Sequence, residues 1–348
     1  MRFVVAVLLA SVCFGTTGTA QALGPDASSA SVGAARILIG GGALGLVALA
    51  LHVAGRRRGA TGTSAASTSG VATRHPLPSW LLVAVGALGV LAYQPAFFAG
   101  TAVNGVAVGT VVALGSAPII TGALDWALRS RYPGHRWLVA TTIATAGVAI
   151  LAGASEPGRA AADPIGLLAS LGAGCAYAVY TLAAKALLDR GWTPIGSMGG
   201  LFGVAAVASA PLLLATDASW LATGPGLAMA LWLGLVATTL AYVLFARGLR
   251  GLAPATVSTL TLAEPLTAGI LGVAVLGETL SAGGVVGLLV LAAGIVVLAT
   301  AGARRAPRDV AARADGTPPP MSAGGDSVEP WTSSSSPVSG SMHRRGSG

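Results

Sequence analysis

Two ionisable residues, Glu264 and Arg36, lie inside long apolar segments of this 348-residue chain. Charged side chains in such surroundings usually face the interior of a helical bundle or a wet cavity. Burial disfavours the charged form of a carboxylate, so Glu264 is a candidate for carrying a proton or for contacting a cationic part of a ligand. The alternative is a neutral carboxylic acid with a structural role. For Arg36, binding of a carboxylate competes with extension of the long side chain to a membrane interface.

Neutral polar side chains within or near the same segments form a second set of candidates. Tyr177 and Tyr180 are three residues apart and therefore share one face of a helix. These side chains are expected to line a cavity for an aromatic, amphipathic or cationic molecule. Tyrosines near helix ends could equally belong to the aromatic belt of a membrane protein. The set is Tyr93, Gln94, Asn104, Tyr177, Tyr180, Thr181 and Tyr242.

Two prolines inside apolar segments are candidates for helix breaks. Pro265 directly follows Glu264. Because proline has no backbone N–H, it frees a carbonyl one turn earlier and can kink the helix. Pro118 occupies a similar place in an earlier segment. Both are expected to act as flexible points.

The composition indicates which elements must position these residues. The chain is 54% hydrophobic and only 9% charged, whereas soluble domains have about 25% charged residues. This excludes a soluble globular protein and favours an all-α integral membrane protein. A helix of about 20 apolar residues spans a bilayer. Ten spans are predicted, at residues 3–22, 32–54, 80–98, 103–126, 137–154, 165–184, 195–216, 227–245, 252–276 and 280–298.

The two ends of the chain differ in sequence character from the central spans. The first segment, with Arg2 before it and small residues around Ala20 and Ala22, also resembles a signal peptide with its cleavage site. A retained helix is preferred because its removal would leave an odd number of spans and break the repeat described below. After Ala301 the sequence changes to Arg, Pro, Ser and Gly. Residues 302–348 are therefore predicted to form a disordered cytoplasmic tail.

The basic residues are distributed unevenly between the predicted loops. Of the 20 Lys and Arg residues, 18 fall on one side of the membrane, Arg159 falls on the other and Arg36 lies within a span. Cytoplasmic loops carry the excess of positive charge. Both termini are therefore predicted to be cytoplasmic, in a multi-pass protein of the inner (cytoplasmic) membrane. This topology accounts for the net charge of +8 without a nucleic-acid partner.

The two halves of the chain resemble each other at an offset of 147 residues. Pro118 and Gly147 then correspond to Pro265 and Gly294. The predicted repeats are residues 3–154 and 165–301, with five helices in each. An odd number of helices inverts the second repeat in the membrane, an architecture that recurs in transporters. The alternative is a duplicated helical bundle that is stable but does not transport.

Sequence motifs of other chemistries are missing. The chain has no GxxxxGK[ST] phosphate loop, no GxSxG or HExxH motif, and no dinucleotide-binding glycine pattern in a strand, turn and helix context. The four histidines have no spacing typical of metal ligands. No enzymatic activity, cofactor or metal site is expected.

A distinctive pattern surrounds Glu264 in the second half of the chain. It consists of Leu262-Ala263-Glu264-Pro265-Leu266, Leu276-Gly277-Glu278-Thr279-Leu280-Ser281, Gly287 and Gly294, with Arg36, Ser116-Ala117-Pro118 and Gly147 as looser matches in the first half. This pattern resembles the EamA-type transporters of the drug/metabolite transporter superfamily, and the resemblance covers about residues 3–301. Ala117 and Arg131 stand opposite Glu264 and Glu278, so the polar groups of the two halves differ.

This resemblance implies a secondary transporter that exports a small metabolite, amino acid or drug by alternating access. Proton coupling through Glu264 is one expected form of energy supply. Two other functions remain open from the sequence: a membrane scaffold or sensor that binds partners or anionic lipid, and a lipid flippase of the same architecture.

Overall fold

The computed structural model describes residues 1–59, 77–130, 132–153 and 163–303. Within these ranges every regular element is helical, and ten helices are long and apolar enough to cross a membrane. The prediction of a ten-span, all-helical membrane protein is confirmed. The predicted disordered tail lies outside the described residues beyond residue 303. The helices are α1 Arg2–Ala22, α2 Ser29–Arg56, α3 Ser79–Val106, α4 Val108–Arg129, α5 His135–Gly153, α6 Pro164–Asp189, α7 Pro194–Leu214, α8 Gly224–Gly251, α9 Pro254–Leu276 and α10 Ala282–Thr300.

The ends of these helices define two faces of the bundle. On one face, Arg129 contacts Asp189, Lys185 contacts the carbonyl of Leu249, and Arg190 contacts the start of α3. We call it the basic face. The opposite face contains the α3–α4 junction and the start of α6.

A glycine in the last turn of α3 interrupts the helix next to the α3–α4 junction. The backbone is helical from Ser79 to Arg129 except at Gly105, where φ is 79° and ψ is 162°. Only glycine adopts such a conformation readily, because it has no Cβ. By contrast, the backbone remains helical through Pro118, the predicted point of flexibility in this region.

The ninth helix is interrupted close to Pro265. Its first part, Pro254–Leu260, is separated from its second part, Ala263–Leu276, by a turn at Thr261 and Leu262. Pro265 cannot donate to the carbonyl of Thr261 because it has no N–H. That carbonyl instead accepts a hydrogen bond of 2.9 Å from the N–H of Glu264. The tighter turn places Glu264 at the helix break.

The eighth helix contains a π-helical stretch, Trp232–Leu240, between two α-helical parts. Two threonine hydroxyls bond to carbonyls five residues earlier: Thr238 to Leu233 at 2.8 Å and Thr239 to Gly234 at 3.1 Å. Such π segments often occur at functional sites.

Helices α5 and α10 approach closely through small residues, as is common in membrane bundles. A Cβ on Gly147 would lie 2.6 Å from the Cα of Leu291, and a Cβ on Gly294 would lie 2.9 Å from the Cα of Ala144. Both approaches require glycine. The two contacts correspond to each other at the repeat offset of 147 residues. At this offset Gly147 corresponds to Gly294, and Ala144 corresponds to Leu291.

Candidate functional site

A cavity of about 450 Å³ lies between seven helices in the middle of the bundle. It is lined by residues of α1, α2, α3, α4, α6, α8 and α9, and it reaches exposed helix ends at the opposite face. Most of the predicted ligand and proton-path residues line it, whereas Asn104 and Thr181 do not. The lining candidates are Glu264, Arg36, Tyr93, Gln94, Tyr177, Tyr180 and Tyr242.

Asn104 has a different position, at the end of α3. Its Nδ2 donates a hydrogen bond of 2.9 Å to the carbonyl of Asp163, and its Oδ1 accepts one of 2.7 Å from the N–H of the same residue. The side chain of Asp163 in turn caps α6 by accepting from the N–H of Ile165. Asn104 therefore joins the α3–α4 junction to the start of α6 and does not line the cavity.

Glu264 is half-buried and borders the cavity at the break in α9. Its carboxyl group forms no hydrogen bond or ion pair with any residue in the described ranges. The backbone at this point packs against α1, since a Cβ on Gly15 would lie 2.8 Å from the carbonyl oxygen of Glu264. The acid is thus held in place through its backbone, while its side chain is available to a ligand or a proton.

Arg36 points inwards and is held by the π-helical part of α8. Its Nε donates a hydrogen bond of 2.8 Å to Oγ1 of Thr238, and its Nη2 donates one of 3.0 Å to the carbonyl of Ala237. The Thr238 hydroxyl gives its own hydrogen to the carbonyl of Leu233, so its oxygen is free to accept from Arg36. Both partners are neutral, and no ion pair with Arg36 is found in the part of the chain that the structure describes.

Tyrosine and phenylalanine rings form one wall of the cavity. The rings of Tyr177 and Tyr180 pack edge to face with centroids 5.1 Å apart, and Tyr242 packs against Phe14 at 5.0 Å. Aromatic faces favour apolar and cationic groups of a ligand. This wall therefore suits a molecule with an apolar or aromatic part.

The aromatic wall is connected to the break in α9. The hydroxyl of Thr261 donates to the carbonyl of Ser258 at 2.8 Å, which leaves its oxygen to accept a hydrogen bond from Tyr177 at 3.0 Å. A second hydroxyl contact, at 3.3 Å, joins Tyr180 to Tyr242. The tyrosines thus link α6 to α8 and α9 around the cavity.

Three functional positions were not found from the sequence: Thr238, Thr261 and Phe14. Thr261 could have been found, because it lies four residues before Pro265 and its carbonyl is the one that the proline frees. Thr238 gives no comparable signal, since hydrophobic periodicity does not distinguish a π-helical stretch from an α-helix. Phe14 is one of many apolar residues in α1.

The ten spans and the central cavity define a multi-pass membrane protein with an internal site large enough for a small solute. The model of the EamA-like transporter family matches residues 164–300. The Uncharacterized transporter YwfM of Bacillus subtilis is 40% identical over 299 residues, which are 85% of this chain and 93% of that protein. The chain belongs to the EamA-like transporter family and is a membrane transporter.

Two further proteins are similar to this chain. The Uncharacterized protein PA1977 of Pseudomonas aeruginosa is 30% identical over 196 residues, covering 56% of this chain and 66% of that protein. A solved crystal structure with 20% sequence identity has a TM-score of 0.67 and covers 88% of this chain and 98% of its own. At that identity the structural match supports the fold alone.

Proposed function

We propose that this transporter is a secondary exporter of a small metabolite, amino acid or drug, driven by inward proton movement and working by alternating access. The observation that carries the proposal is the presence of Glu264 and Arg36 on one cavity, each without an oppositely charged partner within 4 Å among the described residues. A buried charge without a partner is costly, so a ligand or proton that neutralises it binds favourably.

The cavity suits a small ligand with both polar and apolar parts. Its volume of about 450 Å³ lies within the range of about 300–1,000 Å³ typical of small-molecule sites. Arg36 offers its guanidinium to an anionic group, Glu264 offers a carboxylate to a cationic group or a proton, and the aromatic wall accepts an apolar part.

Two five-helix repeats, residues 3–154 and 165–301, would supply the alternating access. An inverted repeat allows the two halves to exchange conformations and to open the site to each face in turn. The related contacts of Gly147 with Leu291 and of Gly294 with Ala144 support this interpretation. The family match at residues 164–300 also agrees with the boundaries of the second repeat.

The proposed orientation places the basic face and both termini in the cytoplasm. Arginine and lysine residues at the ends of α4, α6 and α8 support it through the positive-inside rule. The membrane is then the inner (cytoplasmic) membrane of a bacterial-type cell, and transport is directed from the basic face to the opposite face.

The test is solute flux in proteoliposomes with and without an imposed pH gradient, over a panel of amino acids, organic cations and small metabolites. Flux of at least one solute that increases when protons move towards the basic face supports the proposal. Translocation of a labelled lipid without solute flux would favour a flippase. If neither solute nor lipid moves under any gradient, the result would contradict transport and favour a membrane scaffold or sensor.

A further inference from the structure

Five charged residues at the basic face connect four helices. We propose that they form an ionic gate, which closes the cavity towards this face and must open when the transporter changes state. The inference rests on the alternating access proposed above, and it assigns a role to residues outside the cavity. The gate consists of Asp125 and Arg129 on α4, and Lys185, Asp189 and Arg190 at the end of α6.

The first link joins α4 to α6. Nη1 of Arg129 lies 2.6 Å from Oδ2 of Asp189, and Nε of the same arginine lies 3.1 Å from Oδ1 of Asp125. One guanidinium thus binds a carboxylate on its own helix and one on the neighbouring helix. Arginine suits this role because its donors point in fixed directions.

The second link joins α6 to α8. Nζ of Lys185 lies 3.3 Å from Oδ1 of Asp189 and donates a hydrogen bond of 3.0 Å to the carbonyl of Leu249. Leu249 belongs to the last turn of α8, where carbonyls without intrahelical partners attract cations. Asp189 is therefore shared between the cation on α4 and the cation that binds α8.

The third link joins α6 to α3 through Arg190. Its Nη1 donates a hydrogen bond of 3.0 Å to Oγ of Ser79, and its Nη2 donates one of 2.5 Å to the carbonyl of Leu77. The end of α6 thereby holds the basic ends of α3, α4 and α8. Separation of these ends requires most of the contacts to break.

The lysine and arginine partners of Asp189 are more buried than those of an ordinary surface ion pair. The side chains of Arg129 and Lys185 are each 13% exposed and that of Asp125 is 4% exposed, whereas that of the shared Asp189 is 32% exposed. Ion pairs exposed to water contribute little, whereas removal of one partner from a buried pair leaves an uncompensated charge. Loss of one gate residue should therefore change the balance between conformations.

The cavity opens at the end of the bundle away from the gate. Exposed residues at the opposite face, Gln21, Ser29 and Val106, are part of its lining, and no gate residue is. Tyr180 and Tyr242 line the cavity on the side of the gate, each nine residues before the end of its helix. The conformation is thus open to the opposite face, and the closed end is the one that carries the ionic contacts.

Among the described residues, the second half of the chain shows no equivalent ion pair. The offset of 147 residues that relates the repeats places Gly272 and Leu276 opposite Asp125 and Arg129. The corresponding turn of α9 therefore lacks both charges. An ionic gate on one face only would favour the conformation that is closed at that face, which is the conformation observed.

The test measures the separation of α4 and α8 at the basic face without any substrate. Spin labels are attached to cysteines replacing Leu128 and Arg250, which are both exposed, in a full-length chain in which Cys13 and Cys175 are replaced by alanine. Pulsed electron paramagnetic resonance then gives the distance distribution in lipid nanodiscs. Asp189→Asn should add a population at longer distance, because both cations lose their shared carboxylate.

Two matched variants serve as controls. Asp189→Glu keeps the charge and should restore the shorter distance, while Arg247→Gln removes an exposed cation on the same face and should leave the distribution unchanged. If Asp189→Asn fails to fold, judged by size-exclusion chromatography, Lys185→Gln tests the α6–α8 link in its place and should also add the longer population. An unchanged distribution in a folded Asp189→Asn or Lys185→Gln variant would overturn the gate. Because no solute is present, this outcome is independent of whether solute flux is found.

Discussion

Nε of Arg36 donates a hydrogen bond of 2.8 Å to Oγ1 of Thr238, which joins a cation on α2 to the π-helical stretch of α8. The hydroxyl of Thr238 accepts from Arg36 while it donates to Leu233. The next residue, Thr239, directs its hydroxyl to the carbonyls of Gly40 and Gly234 instead. Two adjacent threonines therefore have separable roles.

Thr238 and Thr239 are expected to contribute differently to substrate binding. Thr238→Val should weaken binding of an anionic substrate about tenfold, since a hydrogen bond to a charged group contributes about 1.5–3 kcal/mol and the guanidinium would lose its fixed orientation. Thr238→Ser should retain the wild-type KM. The measurement is the KM of solute uptake in proteoliposomes, with Thr239→Val as the control. Equal increases in KM for Thr238→Val and Thr239→Val would mean that Thr238 has no special role in positioning Arg36.

Asn104 is expected to stabilise the fold without contributing to substrate binding. Asn104→Ala should lower the free energy of unfolding by about 1–3 kcal/mol, because the two hydrogen bonds between the buried side chain of Asn104 and the backbone of Asp163 are lost. It should leave the KM for substrate unchanged. Thermal unfolding in detergent and uptake kinetics together check this prediction. A raised KM with normal stability would assign Asn104 to substrate binding.

The third prediction concerns the contact between α5 and α10. Gly147→Ala should destabilise the protein by about 1–3 kcal/mol, because the added Cβ would lie 2.6 Å from the Cα of Leu291 and backbone atoms must move. Gly42→Ala is the matched control, since a Cβ at that helical position meets no atom within 4 Å. Thermal unfolding curves of both variants provide the comparison. Equal unfolding midpoints for Gly147→Ala and the wild type would contradict the close packing of these helices.

Much of the fold could be predicted because a bilayer imposes a simple rule on sequence. Each span needs about 20 apolar residues, and all ten predicted spans correspond to helices. Glu264 and Arg36 were identified by the same rule, since an ionisable residue inside a span stands out from its neighbours. Tyr177 and Tyr180 followed from helical spacing.

Local irregularities of the helices were less predictable. The interruption between α3 and α4 lies at Gly105, but the sequence contains 50 glycines, and composition alone does not indicate which of them adopts a positive φ. Pro118 remains within a helix, as membrane helices tolerate prolines when neighbouring groups satisfy the freed carbonyl. The role of Thr238 depends on the packing of α2 against a π-helical stretch, which is a tertiary contact.

We propose that Glu264 carries the coupled proton through the cavity. The most direct measurement is proton-gradient-driven uptake by Glu264→Gln in proteoliposomes, compared with the wild type and with Glu278→Gln. Glu278 is the matched control because it is an exposed glutamate outside the cavity lining. We predict that Glu264→Gln abolishes uptake driven by the pH gradient but retains exchange of solute across the membrane, while Glu278→Gln resembles the wild type. Undiminished gradient-driven uptake by Glu264→Gln would contradict the claim.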